Sequence, residues 1–221
     1  HMNLVERLDQ GTVLCAEGYL FEMEKRGYLQ AGAFVPEVVL ENPDVVTQLH
    51  REFIRAGSDV VQAFTYYGHR EKLRLIGKED LLEPLQKNAL KIAKDAANEF
   101  PELDLMIAGD VANTNIYDPS DSKSIVEVEK MYEEQIAWAK EAGVDFVIAE
   151  TIQWTGEALI ALKKIKEAGL IAVVNLAIPA NDLTRDNHTP EDACKMFEDN
   201  GAEVVGLNFF RGPVHTMKHL V

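Results

Sequence analysis

The chain has 221 residues, a formal net charge of −15 and 47% hydrophobic residues. That content can bury a domain-sized core, while an acidic balance without a basic cluster excludes tracking of a nucleic-acid backbone. No apolar run reaches the ~18 residues of a membrane span, and two cysteines, Cys15 and Cys194, give neither a disulfide framework nor metal-ligand spacing.

His1-Met2 reads as a cloning remnant. Residues 3–221 read as one domain without a signal peptide, in a reducing cytoplasm. Six strands are predicted: Thr12–Ala16, Asp59–Thr65, Leu103–Gly109, Asp145–Glu150, Ile171–Ala177 and Glu203–Phe209. Helical patterns lie between them. Asn42-Pro43 opens one with an asparagine cap and a proline at the first helical position. Glu79–Glu99 forms the next, irregular near Pro84, and a long acidic helix runs from Ser122 or Ser124 to Ala142. Thr155–Ala168 and Thr189–Asn200 complete the set. Two long insertions, Glu17–Asn42 and Asn113–Ser122, come after strands one and three, where loops often carry binding groups.

The order of these elements carries the fold. AGSDVV (56–61), AGVDFV (142–147), AGLIAVV (168–174) and NGAEVV (200–205) each end a helix at glycine and begin an apolar run. Glycine takes the left-handed conformation that stops a helix. Runs without polar alternation suit parallel strands covered on both faces. The class is therefore α/β. The glycine-rich dinucleotide turn and the phosphate-binding P-loop are both absent. A (β/α)8 TIM-barrel type is favoured over an open sheet, with six of eight β/α units in this chain.

In such a fold chemistry sits at the carboxyl ends of the strands. Those ends offer Glu17, Thr65-Tyr66-Tyr67, Asp110 with Asn113, Glu150-Thr151, Asn175 and Asn208. Glu150 is the sharpest, because it leaves the dry run Phe146-Val147-Ile148-Ala149. A carboxylate there binds an ammonium group, acts as a base, or caps a helix. Tyr66 and Tyr67 are adjacent, so one of the two faces the mouth if the strand persists. Asn175 and Asn208 read equally as backbone partners and as ligand contacts. His50, His69, His188 and His215 show no ligand spacing and read as surface residues. Cys15 reads as a small core hydrophobe. The residues alone support a small-molecule site and do not name its reaction.

EKRGYLQAG (24–32), LHREFIRAGSDVVQAFTYYGHREKL (49–73), AGVDFVIAET (142–151) and GAEVVGLNFFRGP (201–213) resemble the betaine–homocysteine methyltransferase branch of the homocysteine S-methyltransferase family. The resemblance runs from about Val13 to Pro213. It implies a (β/α)8 barrel and methyl transfer from a donor such as betaine to the thiol of homocysteine. It also implies a zinc ion held by three cysteines, which makes the thiolate. Glu150 matches the glutamate that holds the homocysteine amino group. Tyr67 and Tyr66 match the aromatic residues after strand two. Phe34 stands for a donor-site tryptophan. The Asp-Gly-Gly after strand one reads Ala16-Glu17-Gly18 here, and the tyrosine after the strand-four glutamate is Thr151. The first zinc cysteine, expected after Gly-x-Asn, is Phe209 in Gly206-Leu207-Asn208-Phe209, and no cysteine pair comes after it in this chain.

The expectation is thus a methyltransferase-like barrel that takes an amino-acid or betaine-like ligand, with Glu150, Tyr67, Tyr66, Glu17, Phe34 and Asn208 at its site. No cofactor is supported, zinc included. A non-catalytic binding relative and another barrel enzyme with Glu150 as general base are the alternatives. Six units leave strand edges open, so a homo-oligomer is expected.

Overall fold

The computed structural model describes residues 1–16, 18–29, 36–208 and 212–219. Glu17, Phe34 and Phe209 lie outside the described residues. Two compact units are present. One comprises His1–Asp110 and Ala137–Phe146; the other comprises Val111–Ile136 and Val147–Val221.

In chain order the elements are α1 (Leu4–Gln10), α2 (Tyr19–Lys25), α3 (Val38–Glu41), α4 (Pro43–Arg55), β1 (Val60–Gln62), α5 (Arg70–Leu75), α6 (Leu82–Asn98) and β2 (Met106–Ala112). They continue with α7 (Ser122–Ala142), β3 (Phe146–Ile152), α8 (Thr155–Glu167), β4 (Ile171–Leu176), α9 (Pro190–Asp199), β5 (Val204–Leu207) and α10 (Pro213–Met217). The strands succeed one another in the sheet as β1-β2-β3-β4-β5. β1 pairs with β2, and β4 with β5, in parallel.

Five of the six predicted strands are present. The first is not: Thr12–Ala16 contributes a single parallel bridge, Cys15 to Val60. Its residues Thr12-Val13-Leu14 are exposed or half-buried, so the run never gains the two covered faces that a central strand needs. Pro84 does not interrupt its helix. A 3-10 turn, Glu79–Leu81, precedes α6, and Pro84 falls in the first turn, where a missing N–H costs nothing. Thr189 caps α9 by accepting from Asp192 N–H at 3.1 Å. Asn42 holds the cap position of α4 without a side-chain hydrogen bond.

The helix–glycine–strand junctions explain their own sequence. Gly57, Gly143, Gly169 and Gly201 have φ of 108°, 78°, 75° and 94°, a region that favours glycine. After Gly57, Gly143 and Gly201, though not Gly169, an acidic residue two positions later makes two bonds to one residue of the neighbouring segment. Asp59 N–H donates to Leu14 O at 2.8 Å, and Leu14 N–H donates back to Asp59 Oδ2 at 2.8 Å. Asp145 N–H donates to Ile107 O at 2.8 Å, and Ile107 N–H to Asp145 Oδ2 at 2.7 Å. Glu203 N–H donates to Ala172 O at 3.1 Å, and Ala172 N–H to Glu203 Oε2 at 2.7 Å. Each carboxylate satisfies a backbone N–H of the neighbouring segment. A hydrogen bond to a charged group contributes about 1.5–3 kcal/mol.

In the first unit α3, α4 and α6 pack together. They bury Val38, Val46, Leu49, Leu85 and Ala89 with Tyr19 and Met23 of α2. In the second unit α8 packs on β4 and α9 on β5. Leu162, Ile165 and Phe197 are fully buried there. The insertion Glu17–Asn42, read as a loop, carries α2 and α3 instead.

Candidate active site

The carboxyl end of β3 supplies the strongest feature. Glu150 is buried, and Asn208 Nδ2 donates to its Oε2 at 3.1 Å. Asn208 Oδ1 accepts from Thr151 N–H at 2.6 Å, and Asn208 N–H donates to Leu176 O at 2.7 Å. The Asn208 side-chain amide therefore holds the carboxylate and the next backbone N–H, while its backbone N–H holds the end of β4. Thr151, still within β3, has a φ of 61°, costly for a β-branched residue. Asn175 on β4 leaves no room beside it. A side chain begun at Gly206 would meet Asn175 Oδ1 at 3.0 Å.

The same end of the second unit holds a buried carboxylate that the sequence did not single out. Glu157, in the first turn of α8, accepts at Oε2 from Thr114 N–H at 3.0 Å and Thr114 Oγ1 at 2.5 Å. Burial raises its pKa, and the two Thr114 bonds work against that shift. Asp186 accepts from Thr155 N–H and Gly156 N–H, both at 2.8 Å, and so caps α8 from the following loop. Burial acts to raise the Asp186 pKa, but the Gly156 and Thr155 bonds win and lower it. Tyr117 and Trp154 stand edge to face, 5.5 Å apart. The Thr155-Gly156-Glu157 start of α8 was the only available signal for this arrangement; Asp186 sits in a loop whose path no local pattern announces.

In the first unit, β1 ends at Gln62, and the strand alternation expected at Tyr66 and Tyr67 does not apply. Tyr67 has a φ of 57° in the turn that Gly68 N–H closes on Thr65 O at 2.7 Å. Both tyrosines are half-buried with ring centroids 4.3 Å apart, and Lys72 Nζ lies 4.3 Å from the Tyr67 ring centroid. Gly68 has no room for a side chain: a Cβ would meet Leu85 Cδ2 at 2.8 Å. Asp110, on β2, is buried, and its carbonyl accepts from Thr65 Oγ1 at 2.9 Å.

Two histidines read as surface residues are buried. His50 Nδ1 lies 3.0 Å from Tyr19 Oη, and burial depresses its pKa from 6.5 to about 4. His69 caps α5, its Nδ1 accepting from Lys72 N–H at 3.3 Å. His215 does have ligand spacing, with His219 four residues on. Cys15 is half-buried, and its thiol donates to Gln62 Oε1 at 3.6 Å. Cys194 is half-buried on α9, where burial first, then Glu198 and Glu191, raises the thiol pKa.

Parallel strands joined through helices define an α/β protein of the (β/α)8-barrel type. Crystal structures of the homocysteine methyltransferase MmuM from Escherichia coli share that fold. The metallated form matches with a TM-score of 0.78 at 18% identity over 91% of this chain and 76% of that one. The apo form matches with a TM-score of 0.74 at 17% identity over 96% and 78%. The chain belongs to the homocysteine S-methyltransferase family, whose sequence model matches residues 11–221. Betaine–homocysteine S-methyltransferase 1 of Xenopus tropicalis is 38% identical over 96% of this chain and 52% of its own length. The Bos taurus protein of that name is 34% identical over 97% and 53%. The chain thus spans about half the length of these curated relatives.

Proposed function

We propose that this chain is the substrate-binding part of a methyltransferase that moves a methyl group from a betaine-like donor to a thiol or another small acceptor. Glu150 carries the reading: a buried carboxylate at a strand end, oriented by Asn208, with the charge and position to hold an ammonium group. Tyr66 and Tyr67 provide aromatic faces for a quaternary ammonium. Glu17 and Phe34 are assigned to the same ligand on the resemblance. In the transfer, the acceptor's lone pair forms the new bond to the methyl carbon, and the donor C–N bond breaks with its electrons returning to nitrogen. Positioning of the two partners in line is the protein's contribution.

The family's three-cysteine zinc set does not fit these residues. The residue after Asn208 is Phe209, which has no ligating atom, the Cys15 thiol bonds Gln62, and burial raises the Cys194 pKa. Phe209, where the family places its first zinc cysteine, favours a second reading, a relative that binds the amino acid without turning it over. We further propose one domain over 3–221, a cytoplasmic location, and assembly with copies of itself. Exposed Leu14 and Phe21 support the assembly. Among the described residues no helix is long and apolar enough to cross a membrane.

Calorimetry with homocysteine tests the site. Glu150→Ala should weaken binding by ~2–5 kcal/mol, the cost of removing one partner of a buried charge pair. Unchanged affinity removes Glu150 from the site. Methyl transfer measured alongside separates the two readings.

A further inference from the structure

The second unit gathers two histidines and a carboxylate that the methyl-transfer reading does not use. Asp182 lies in the connection from β4 to α9. His215 lies on α10, and His219 in the turn just after it. Both segments come after carboxyl ends of strands, as Glu150 does. Asp182 Oδ1 is 2.7 Å from His215 Nε2 and 3.4 Å from His219 Nε2, and all three ligand atoms lie within 4.8 Å of one another.

We propose that Asp182, His215 and His219 form a binding site for one divalent transition-metal ion, with zinc the best match to the donor set. Histidines four apart on a helical turn point to the same side, and His-x-x-x-His is a ligand spacing. Two imidazoles and one carboxylate make the open three-ligand set that leaves a fourth position for water or substrate. Tetrahedral bonds of ~2.0–2.1 Å place ligand atoms about 3.3 Å apart. The Asp182–His219 distance already meets this, and the Asp182–His215 distance needs to open by a fraction of an ångström.

The surroundings agree. His215 Nε2 is buried and has no hydrogen-bond partner among the described residues: Asp182 is close, but off the line of an N–H bond. That suits a lone pair directed at an ion better than a proton directed at the carboxylate. Asp182 has a φ of 62°, a conformation aspartate tolerates, and Lys218 Nζ takes its other oxygen at 2.7 Å. Glu191 Oε1 lies 3.9 Å from His219 Nδ1 and adds negative charge beside the cluster.

The site does not depend on the methyl-transfer reading; zinc bound here without methyl transfer leaves it standing. The test is zinc titration by calorimetry and elemental analysis on a chain beginning at Asn3. That removes His1, which contacts Asp104 and Asp145 and offers a competing surface ligand. One zinc per chain is expected. His215→Ala, His219→Ala and Asp182→Asn should each weaken binding by more than the ~10–100-fold that loss of an outer partner costs. Cys15→Ser with Cys194→Ser should leave it unchanged. Cobalt substitution should give metal-centred bands without thiolate charge transfer. Zinc should raise the melting temperature of the parent and not of the three variants, whose metal-free melting near the parent's verifies their fold. Absence of stoichiometric zinc, binding that survives His215→Ala with His219→Ala, or loss on removing the cysteines overturns the proposal.

Discussion

Asn208 does more for Glu150 than a passive neighbour would. Its amide meets the carboxylate on one side and the Thr151 backbone on the other. Asn208→Ala should weaken amino-acid binding by ~1–3 kcal/mol, the cost of a lost bond to a buried polar group. Asn208→Asp should be worse, because like charges would then face each other. Calorimetry on both variants reads the difference. His50 makes a second, independent prediction. Its pKa falls from 6.5 in the unfolded chain to about 4 in the fold because burial penalises the charged ring. A depressed pKa gives stability that is complete above about 6.5 and is lost as pH falls toward 4. The range is worth about 3 kcal/mol. Urea midpoints from pH 7 to 4 should fall less steeply for His50→Gln. Glu150 was legible because five residues, Phe146 to Glu150, announce a dry strand ending in a charge. His50 was not: a histidine at a helical position looks the same whether the helix turns it outward or inward, and only Tyr19, 31 residues away, decides.

Among the elements, the junction carboxylates make the clearest claim. Glu203→Ala removes the acceptor for Ala172 N–H and should cost ~1.5–3 kcal/mol in denaturant unfolding. Glu203→Gln, which keeps an oxygen but not the charge, should cost less. The partner Lys166 on the surface adds little to either value. The junctions were read correctly as helix ends with strands after them, since glycine and the apolar run are local signals. The role of the acidic residue was not legible, because the N–H it meets belongs to another strand. Thr12–Ala16 failed for the reverse reason. Its sequence is strand-like, but burial on two faces is a property of neighbours. The alternation that a persisting strand would give Tyr66 and Tyr67 does not arise, because β1 ends at Gln62 and Tyr67 turns the chain with a φ of 57°.

For the whole molecule, the class of fold was legible from the repeat of one junction, and the path of the loops that carry Asp182 and Asp186 was not. The proposed self-association predicts a light-scattering mass that is a multiple of 24.7 kDa. A stable species at 24.7 kDa across dilution would contradict it. The paired bonds at Asp59, Asp145 and Glu203 have a wider consequence. A strand that is apolar on both faces can slide two residues along its neighbour and bury the same kind of side chain, so hydrophobicity alone cannot tell the true alignment from that error. A carboxylate at a fixed count from the glycine can reach only one N–H. It acts as a reading frame for the sheet, set at three of the four junctions. The cost of an alanine there is then not only a looser strand but a population of misaligned ones, visible as a broadened unfolding transition rather than a simply shifted one.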